Sequence, residues 1–403
     1  MPFGGEQWKK IRPGGVKLPK VRLTAKGLRW YRTGHPWVFR DDLAEAPMLP
    51  SGELAAVLDP RENFLGQAFY SAASRIALRF VTHGEEAVDA LFWEERLQRA
   101  LAYRRRVVQD TDAYRLIYAE ADGFPGLVVD HYAGHLAVQT LHPAMERRLP
   151  EITALLKRHL APTSITLRND AEVRLLEDLP LMVQTVFGEL PPLVAVREGP
   201  RRLWVDIRSG QKTGLFLDQR ENRLAAGTYA RGEVLDAFAY QGGFALHLAP
   251  QTQRVTLLES SDAALRVARE NARLNDLHNL EFVREKAFPF LKQAVAAGRR
   301  FDIIVLDPPA FAKSRAERPA AVKGYQEINR RAFQLLNPGG TLITCSCSYN
   351  LSEPEFLETV RAAAAAAGRQ ARLIERRGAA RDHPALLSLP ESLYLKCLIL
   401  EVE

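Results

Sequence analysis

Hydrophobic and polar positions alternate in three different ways along the chain. Between about residues 18 and 85, short alternating runs such as LAAVLD, FLGQAFY and IALRFV are separated by turn residues and predict a small β-barrel. The stretch FWEERLQRALAYRRRVVQ then has the spacing of a basic amphipathic helix, and short strands with one further helix follow it. The sequence GELPPL at 188–193 is typical of a domain boundary.

After this boundary, apolar runs alternate with helical segments. The runs VLDAF, RVTLLE, LEFVR, FDIIVLD and TLITCS predict buried strands of a parallel, doubly wound sheet. The expected fold class is therefore α/β. We expect a Rossmann-like domain at 191–403, a central α+β domain at 91–190, a β-barrel domain at 18–90 and a basic tail at 1–17.

Positive charge is concentrated at the N-terminus of a chain whose net charge is +7. Residues 1–40 hold ten lysines and arginines against one acid, Glu6, with aromatic residues interleaved. This mixture suits neutralisation of an RNA backbone together with stacking on bases. The alternative is a solvated basic tail followed by a domain whose aromatic side chains form its core.

Composition also excludes several classes of protein. The chain has no run of about 18 apolar residues that would span a bilayer, and its N-terminal segment lacks the apolar core of a signal peptide. Three cysteines are too few for a disulfide framework, and no CxxC pair is present for zinc. We therefore expect a cytoplasmic protein with reduced thiols and with neither a metal nor a membrane partner.

The segment VLDAFAYQGGFALHLA at 234–249 predicts a strand, a glycine turn and a helix. Gly242 lets the backbone approach a ligand at the helix N-terminus. Glu259 ends the next predicted strand, 17 residues after Gly242, where a carboxylate can bind ribose hydroxyls or simply cap a helix. Neither GxGxxG nor GxxxxGK[ST] is present, so a nucleoside without a pyrophosphate fits better, and S-adenosylmethionine is the expected cofactor.

Two further motifs end predicted strands at the same edge of the sheet. In FDIIVLDPPAFAKS, the prolines stop the strand directly after Asp307 and hold this acid at the carboxyl edge. In GGTLITCSCSYNLSEPEF, strand alternation puts Cys345 and Cys347 on one face, with Cys347 nearer the carboxyl end. Cys397, inside LYLKCLIL, is expected to be a core residue.

Together with SGQKTGLFLDQRENR at 209–223 and GHPWVF at 34–39, these motifs resemble the S-adenosylmethionine-dependent 23S ribosomal RNA (cytosine-5)-methyltransferases of the RlmI type. The resemblance covers nearly the whole chain. It implies an RNA-binding PUA domain, a central domain and a class I methyltransferase domain, with large-subunit ribosomal RNA as the partner. The oligomeric state is left open, a homodimer being one alternative.

The resemblance also implies roles for individual residues. Cys347 is the expected nucleophile for carbon 6 of the cytosine, Cys345 is the second choice on a literal Thr-Cys-Ser match, and Asp307 holds the base. The implied cofactor contacts are Gln219, Arg220, Asp236, Phe238, Tyr240, Gly242, Glu259, Ala287 and Asp307, with Lys212 and Phe216 expected to line the same cleft. The implied RNA contacts are Lys26, Arg29, His35, Trp37 and Lys313.

Two positions depart from the pattern of related enzymes. Lys286 stands where an adenine-contacting Asp is often found, so the Ala287 backbone or the Phe288 ring is expected to replace that contact. Ala310 stands where many RNA 5-methylcytosine enzymes carry a second cysteine. The group that removes the carbon 5 proton is left open between Lys313 and a water molecule.

Three alternatives remain. An amino methyltransferase acting on guanine or adenine would carry an aromatic residue at the fourth position of [DN]PP[YFW], where this chain has Ala310. A uracil-5 methyltransferase would use the same thiol chemistry. A non-catalytic RNA-binding protein would have no use for the intact set of Gly242, Glu259, Asp307 and Cys347.

Overall fold

The structure is a computed structural model of the 403-residue chain, and it describes residues 18–45, 48–312, 314 and 316–403. The basic tail expected at 1–17 and the expected RNA contact Lys313 lie outside these residues.

The N-terminal part is a five-stranded sheet with one short helix. Its strands run in the order β1-β3-β4-β5-β2, so that β1 and β2 lie at the edges. The elements are β1 (Lys20–Arg22), α1 (Ala25–Tyr31), β2 (Trp37–Phe39), β3 (Leu54–Leu58), β4 (Phe64–Tyr70) and β5 (Ile76–Thr82). Helix α1 begins after Thr24, whose hydroxyl accepts the Gly27 N–H at 3.0 Å.

The central part is a second five-stranded sheet, ordered β10-β9-β8-β7-β6, with three helices and a following hairpin. The elements are α2 (Ala90–Val107), β6 (Ala113–Tyr118), β7 (Leu127–Tyr132), β8 (His135–Thr140), α3 (Pro143–Arg147), α4 (Leu149–Leu160), β9 (Ser164–Asn169), β10 (Met182–Gly188), β11 (Val194–Glu198) and β12 (Arg201–Val205). Helix α2 confirms the predicted amphipathic helix, and it buries Trp93 and Leu97 in the core of this part.

The C-terminal part is a seven-stranded sheet in the order β15-β14-β13-β16-β17-β19-β18. Strand β19 alone runs opposite in direction to the other six strands. The elements are α5 (Arg220–Gly227), β13 (Glu233–Ala237), α6 (Gly243–Leu248), β14 (Arg254–Glu259), α7 (Asp262–Leu274), β15 (Leu280–Arg284), α8 (Ala287–Ala296), β16 (Phe301–Leu306), α9 (Arg318–Leu335), β17 (Leu336–Ser346), α10 (Glu353–Ala366), β18 (Ala371–Arg377) and β19 (Lys396–Val402).

Both faces of this sheet are covered, which explains the apolar strands. Along β16, Ile303 and Val305 pack on the face that carries α6, whereas Ile304 and Leu306 pack on the face that carries α9. Alternating side chains of a strand point to opposite faces, so a strand buried on both sides must be apolar throughout. The doubly wound α/β fold expected from the sequence is confirmed.

The three parts are joined by contacts between distant segments of the chain. The His35 ring lies 3.2 Å from Glu391, the Trp37 indole donates to Glu120 at 2.8 Å, and the Arg104 guanidinium donates to the Asp382 carbonyl at 2.9 Å. The three sheets fall inside the ranges expected for three domains, although the boundaries themselves stay predictions. None of the helices in the described ranges is long and apolar enough to cross a membrane.

Candidate active site

The predicted site residues meet where the parallel strands of the C-terminal sheet end. Asp236 is the penultimate residue of β13, and Glu259 ends β14. Asp307 directly follows β16, and Cys347 directly follows β17. The carboxyl edge of a doubly wound sheet is where such folds bind ligands. Glu259, Asp307 and Cys347, which the sequence motifs singled out, and Asp236, which the resemblance implied, are therefore neighbours at one edge.

The turn after β13 has an unusual backbone. Phe238, Tyr240 and Gly242 all have positive φ, at 63°, 51° and 83°. A side chain on Gly242 would also bring its Cβ to 2.9 Å from the Leu257 methyl group, so this position requires glycine. Left-handed conformations at bulky residues such as Phe238 and Tyr240 are costly, and they concentrate where proteins bind ligands.

Glu259 holds this turn from the neighbouring strand. Its Oε2 accepts the Tyr240 N–H at 3.0 Å, and its Oε1 accepts the Ser261 N–H at 2.8 Å. The half-buried carboxylate therefore joins the end of β14 to the glycine turn. Its expected ribose contact stays a prediction.

Asp236 is a buried acid with one free acceptor. Its Oδ2 accepts the Ala245 N–H at 2.9 Å at the start of α6, whereas its Oδ1 has no hydrogen-bond partner among the described residues. Only 1% of the residue is exposed, and burial raises its pKa to about 8. A ligand that donates a hydrogen bond here would relieve an unsatisfied buried oxygen.

Asp307 is fixed by an amide. Its Oδ1 accepts a hydrogen bond from the Gln219 side chain at 2.9 Å, and Gln219 in turn accepts one from Asn222 at 2.6 Å. Burial, followed by the charge of Asp218, raises the pKa of Asp307 to about 6, and the Gln219 hydrogen bond opposes these two effects. This carboxyl group therefore changes protonation close to neutral pH.

A loop from the start of the C-terminal part brings a cation to the same edge. The Lys212 ammonium donates to Asp218 at 2.8 Å and lies 4.5 Å from the centre of the Phe216 ring. Its charge lowers the pKa values of both Asp307 and Cys347, so it faces these groups. The structure thus brings Lys212 and Phe216 into the cleft that the sequence predicted.

The two adjacent cysteines have different surroundings. Cys345 is 0% exposed, stands opposite Cys397 in the β17–β19 pairing, and belongs to the apolar core. Cys347 lies just past the end of β17, is half-buried, and has its Sγ 3.9 Å from the Pro308 carbonyl oxygen. Burial, followed by the charge of Asp307, raises the Cys347 pKa to about 11. Of the two thiols, only Cys347 is accessible from the carboxyl edge.

Several predicted residues have other partners than expected. Arg220 is buried and donates to Asp382 at 2.8 Å, so within the C-terminal domain its guanidinium is engaged in a buried ion pair. His35 is only 3% exposed, and Trp37 is engaged with Glu120, so both serve contacts between domains in this structure.

The remaining expected contacts lie on α1 and at the start of α8. Lys26 and Arg29 are exposed on α1, although Lys26 is paired with Asp42 at 3.0 Å. Ala287 is buried at the start of α8, and the ring of Phe288 is partly exposed beside Phe311, with 5.9 Å between the ring centres.

Sequence reasoning missed three polar residues of the site. Asp218 binds Lys212, the Tyr394 hydroxyl donates to Asp218 at 2.5 Å, and Lys396 is buried behind the Cys347 segment. A single lysine inside the apolar run LYLKCLIL was the one available signal for Lys396. Within the part of the chain that the structure describes, no group of three or more His, Cys, Asp and Glu side chains is arranged to hold a metal ion.

Comparison with protein-family models gives two matches. Residues 21–83 match a PUA-like domain, and residues 184–388 match an S-adenosylmethionine-dependent methyltransferase. These two assignments agree with the N-terminal and C-terminal sheets, and they confirm the expected domain types and the expected cofactor.

Curated relatives cover most of the chain. Proteins named ribosomal RNA large subunit methyltransferase I from Klebsiella pneumoniae (strain 342) and Enterobacter sp. (strain 638) are each 40% identical over 371 residues. These matches span 90% of this chain and 93% and 94% of the relatives.

Solved structures share the whole architecture at low identity. A candidate S-adenosylmethionine-dependent methyltransferase from Streptococcus mutans matches with a TM-score of 0.81 and 19% identity, covering 95% of this chain and 100% of that one. A candidate methyltransferase complexed with SAH matches with a TM-score of 0.83 and the same identity and coverage. At this identity the likeness shows the fold.

Proposed function

The chain belongs to the family of S-adenosylmethionine-dependent methyltransferases, and we propose that it methylates carbon 5 of a cytosine in 23S ribosomal RNA through a covalent bond to Cys347. The names of its relatives support large-subunit ribosomal RNA as the substrate. The observation that carries the cytosine-5 chemistry is the accessible thiol of Cys347 beside the Asp307 carboxyl group, at the edge that holds the glycine turn.

The residues at this edge fit the cofactor. The unpartnered Oδ1 of Asp236 can accept a hydrogen bond from an ammonium group, and Glu259 ends the strand beside the turn, where ribose hydroxyls can reach it. Gly242 lets the backbone approach without a side chain between. When bound, S-adenosylmethionine supplies an electrophilic methyl group.

Cytosine carbon 5 is a weak nucleophile, and addition of a thiolate to the neighbouring carbon 6 makes it more nucleophilic. Attack of the Cys347 sulfur on carbon 6 forms a C–S bond and shifts the electron pair of the 5,6 double bond toward carbon 5 and ring nitrogen 3, so that carbon 5 becomes nucleophilic enough to form a bond to the methyl carbon. Loss of the carbon 5 proton then restores the double bond and expels the thiolate. The target base must leave its stack to reach the sulfur.

Asp307 is suited to hold the base during this attack. A carboxyl group with a pKa of about 6 is protonated in about one molecule in ten at pH 7, and that form donates to a ring nitrogen. A donor at this edge stabilises the negative charge that attack on carbon 6 develops. Gln219 fixes the carboxyl group for this role through its 2.9 Å hydrogen bond.

The amino-methyltransferase alternative receives less support. Its chemistry requires an aromatic side chain that stacks on the base directly after Asp-Pro-Pro, and Ala310 stands there. The next residue, Phe311, packs on Tyr325 with 4.6 Å between ring centres and contacts Phe288 on another side. Its ring is thus already used within the protein.

The N-terminal domain is proposed to contact the RNA through α1. Arg29 is exposed there, and Lys26 is exposed apart from its pairing with Asp42. His35 and Trp37 instead hold this domain against the rest of the protein.

The proposal is tested by identifying the product. Large-subunit ribosomal RNA is incubated with the enzyme and S-adenosylmethionine, digested to nucleosides and analysed by mass spectrometry. We expect 5-methylcytidine, with Cys345→Ala active and Cys347→Ala inactive. Formation of 5-methyluridine or of an N-methylated purine instead would overturn the cytosine-5 assignment.

A further inference from the structure

Lys396 is a buried lysine directly behind the proposed nucleophile. It begins β19, where it stands opposite Ser346 in the pairing with β17, and only 4% of it is exposed. Its ammonium donates to the Ser348 carbonyl at 2.7 Å and to the Tyr394 carbonyl at 2.8 Å. Lys396 therefore ties the segment that carries Cys347 to the antiparallel strand beside it.

The Cys347 segment is also fixed from other sides. The Ser348 N–H donates to the Ser346 hydroxyl at 3.3 Å, and the Ser348 hydroxyl lies 2.9 Å from that of Tyr325 on α9. Both neighbours of Cys347 are thus held by hydrogen bonds, while its own sulfur has only the 3.9 Å contact with the Pro308 carbonyl oxygen and the residue stays half-buried. The one charged group among these contacts is Lys396.

The charge of Lys396 has no carboxylate partner within ion-pair distance in the part of the chain that the structure describes. The acidic groups that face it are the Cys347 thiol and Glu353 at the start of α10, and Glu353 is half exposed and 3.8 Å from Arg376. A buried cation held only by carbonyl groups is costly. Burial lowers the Lys396 pKa to about 8, and the charge of Cys347 raises it.

Most of the other charges around the Cys347 thiol disfavour its ionisation, so a nearby cation would offset them. Asp307 and Asp218 raise the Cys347 pKa, and among the flanking cations Lys212 lowers it. Because the interaction between two titrating groups is mutual, a thiolate that favours the Lys396 ammonium is itself favoured by that ammonium.

We propose that Lys396 is a positioning residue for Cys347, which fixes the nucleophile through the Ser348 carbonyl and supplies the buried positive charge that favours its thiolate. This inference rests on the proposed role of Cys347. Lys396 makes no contact with the reacting atoms in this scheme, and it acts only through the segment and the charge of the thiol.

The pKa of Lys396 sets the pH range in which its charge can favour the Cys347 thiolate. Below a pH of about 8 the ammonium is present, and the thiolate is favoured. As the pH rises past this value the lysine loses its proton, and its effect on Cys347 disappears. A purely structural role for Lys396 would not depend on pH in this way.

The test measures the rate of iodoacetamide alkylation of the folded protein between pH 6.5 and 10, without RNA. Cys345 and Cys397 are fully buried, so native alkylation reports on Cys347, and Cys347→Ala gives the background rate. The variants are Lys396→Met, Lys396→Arg and, as a control for loss of one positive charge, Lys292→Met on the exposed side of α8.

At pH 7 we expect Lys396→Met to react about tenfold more slowly than wild type, as for loss of an opposite charge near a thiol. The difference in alkylation rate between Lys396→Met and wild type should become smaller as the pH rises above 8. Lys396→Arg should keep the fast rate at both ends of the range, and Lys292→Met should behave as wild type. An equal slowing of Lys396→Met at every pH, or no slowing, would overturn the inference.

The wild-type curve provides a second test that needs no folded variant. When the lysine loses its proton before the thiol does, the alkylation rate should rise by less than tenfold per pH unit above a pH of about 8. A constant tenfold rise up to the thiol pKa would contradict the coupling. Failure of the product analysis above would remove the cytosine chemistry without changing these alkylation results.

Discussion

Thr213 connects the central domain to the loop that carries Lys212. Its hydroxyl donates to Asp130 at 2.6 Å and lies 2.8 Å from the hydroxyl of Tyr132, and both partners are on β7. Asp130 is also bound by two 2.9 Å hydrogen bonds from Arg115. The buried polar groups of the central domain thus anchor the Lys212 loop from outside the C-terminal domain.

The substitution Thr213→Val keeps the shape of this buried side chain and removes its hydroxyl group. The bond to the Asp130 carboxylate is charge-assisted and contributes about 1.5–3 kcal/mol, and the bond with Tyr132 contributes about 1 kcal/mol. Asp130 keeps Arg115, whereas the Tyr132 hydroxyl keeps only the Leu215 N–H at 3.4 Å. We therefore expect the free energy of unfolding to fall by about 2–4 kcal/mol.

The assay is urea denaturation followed by tryptophan fluorescence, together with the rate of methyl transfer. Thr213→Ser is the matched control, since it keeps the hydroxyl and loses one methyl group, at a cost of about 1 kcal/mol. Methyl transfer by Thr213→Val should also be slower, because Lys212 would no longer be held beside Asp307 and Cys347. A loss of stability below about 0.5 kcal/mol in Thr213→Val, with normal methyl transfer, would refute this reasoning.

Three further substitutions test other parts of the structure. Burial raises the Asp236 pKa to about 8, so between pH 5 and 8 the folded protein keeps a proton that the unfolded chain has released. The free energy of unfolding of wild type should therefore fall by up to about 1.4 kcal/mol per pH unit over this range. In thermal melting, Asp236→Asn should not show this loss of stability with rising pH. Parallel plots of melting temperature against pH for the two proteins would contradict the prediction. Glu198→Gln should reduce the free energy of unfolding in urea by about 3–5 kcal/mol, because it leaves Arg223 as an uncompensated buried charge, and a reduction below about 1 kcal/mol would count against this. Arg29→Ala should lower the salt dependence of RNA binding by about 0.7–0.9 in the slope of log K against log salt, measured by filter binding, whereas an unchanged slope would remove Arg29 from the interface.

Local patterns in the sequence were enough to predict the sheet and the edge that holds the site. The apolar runs around Asp236, Glu259 and Asp307 specify buried parallel strands, and these strands end at one edge in any doubly wound fold. The sequence already favoured Cys347 over Cys345 as the nucleophile, whereas the burial of Cys345 opposite Cys397 is a feature of the strand pairing that no local pattern encodes.

The partners of charged residues were much less predictable. Arg220 binds Asp382, which is 162 residues away, and Lys396 binds the carbonyl of Ser348, which is 48 residues away. The resemblance implied an RNA contact for His35, whereas in the structure its ring is buried 3.2 Å from Glu391 of the C-terminal domain. Such pairings join segments that lie far apart in the chain and meet only through tertiary packing, so no periodicity along the chain encodes them.

The most direct measurement uses RNA that carries 5-fluorocytosine, incubated with S-adenosylmethionine and the enzyme. Fluorine replaces the carbon 5 proton whose removal releases the enzyme. The bond between Cys347 and carbon 6 should therefore persist and give a protein–RNA adduct that survives denaturation. We expect this adduct with wild type and with Cys345→Ala, and we expect none with Cys347→Ala. An adduct that disappears only with Cys345→Ala, or no adduct from an enzyme that still methylates ordinary RNA, would contradict the proposed mechanism.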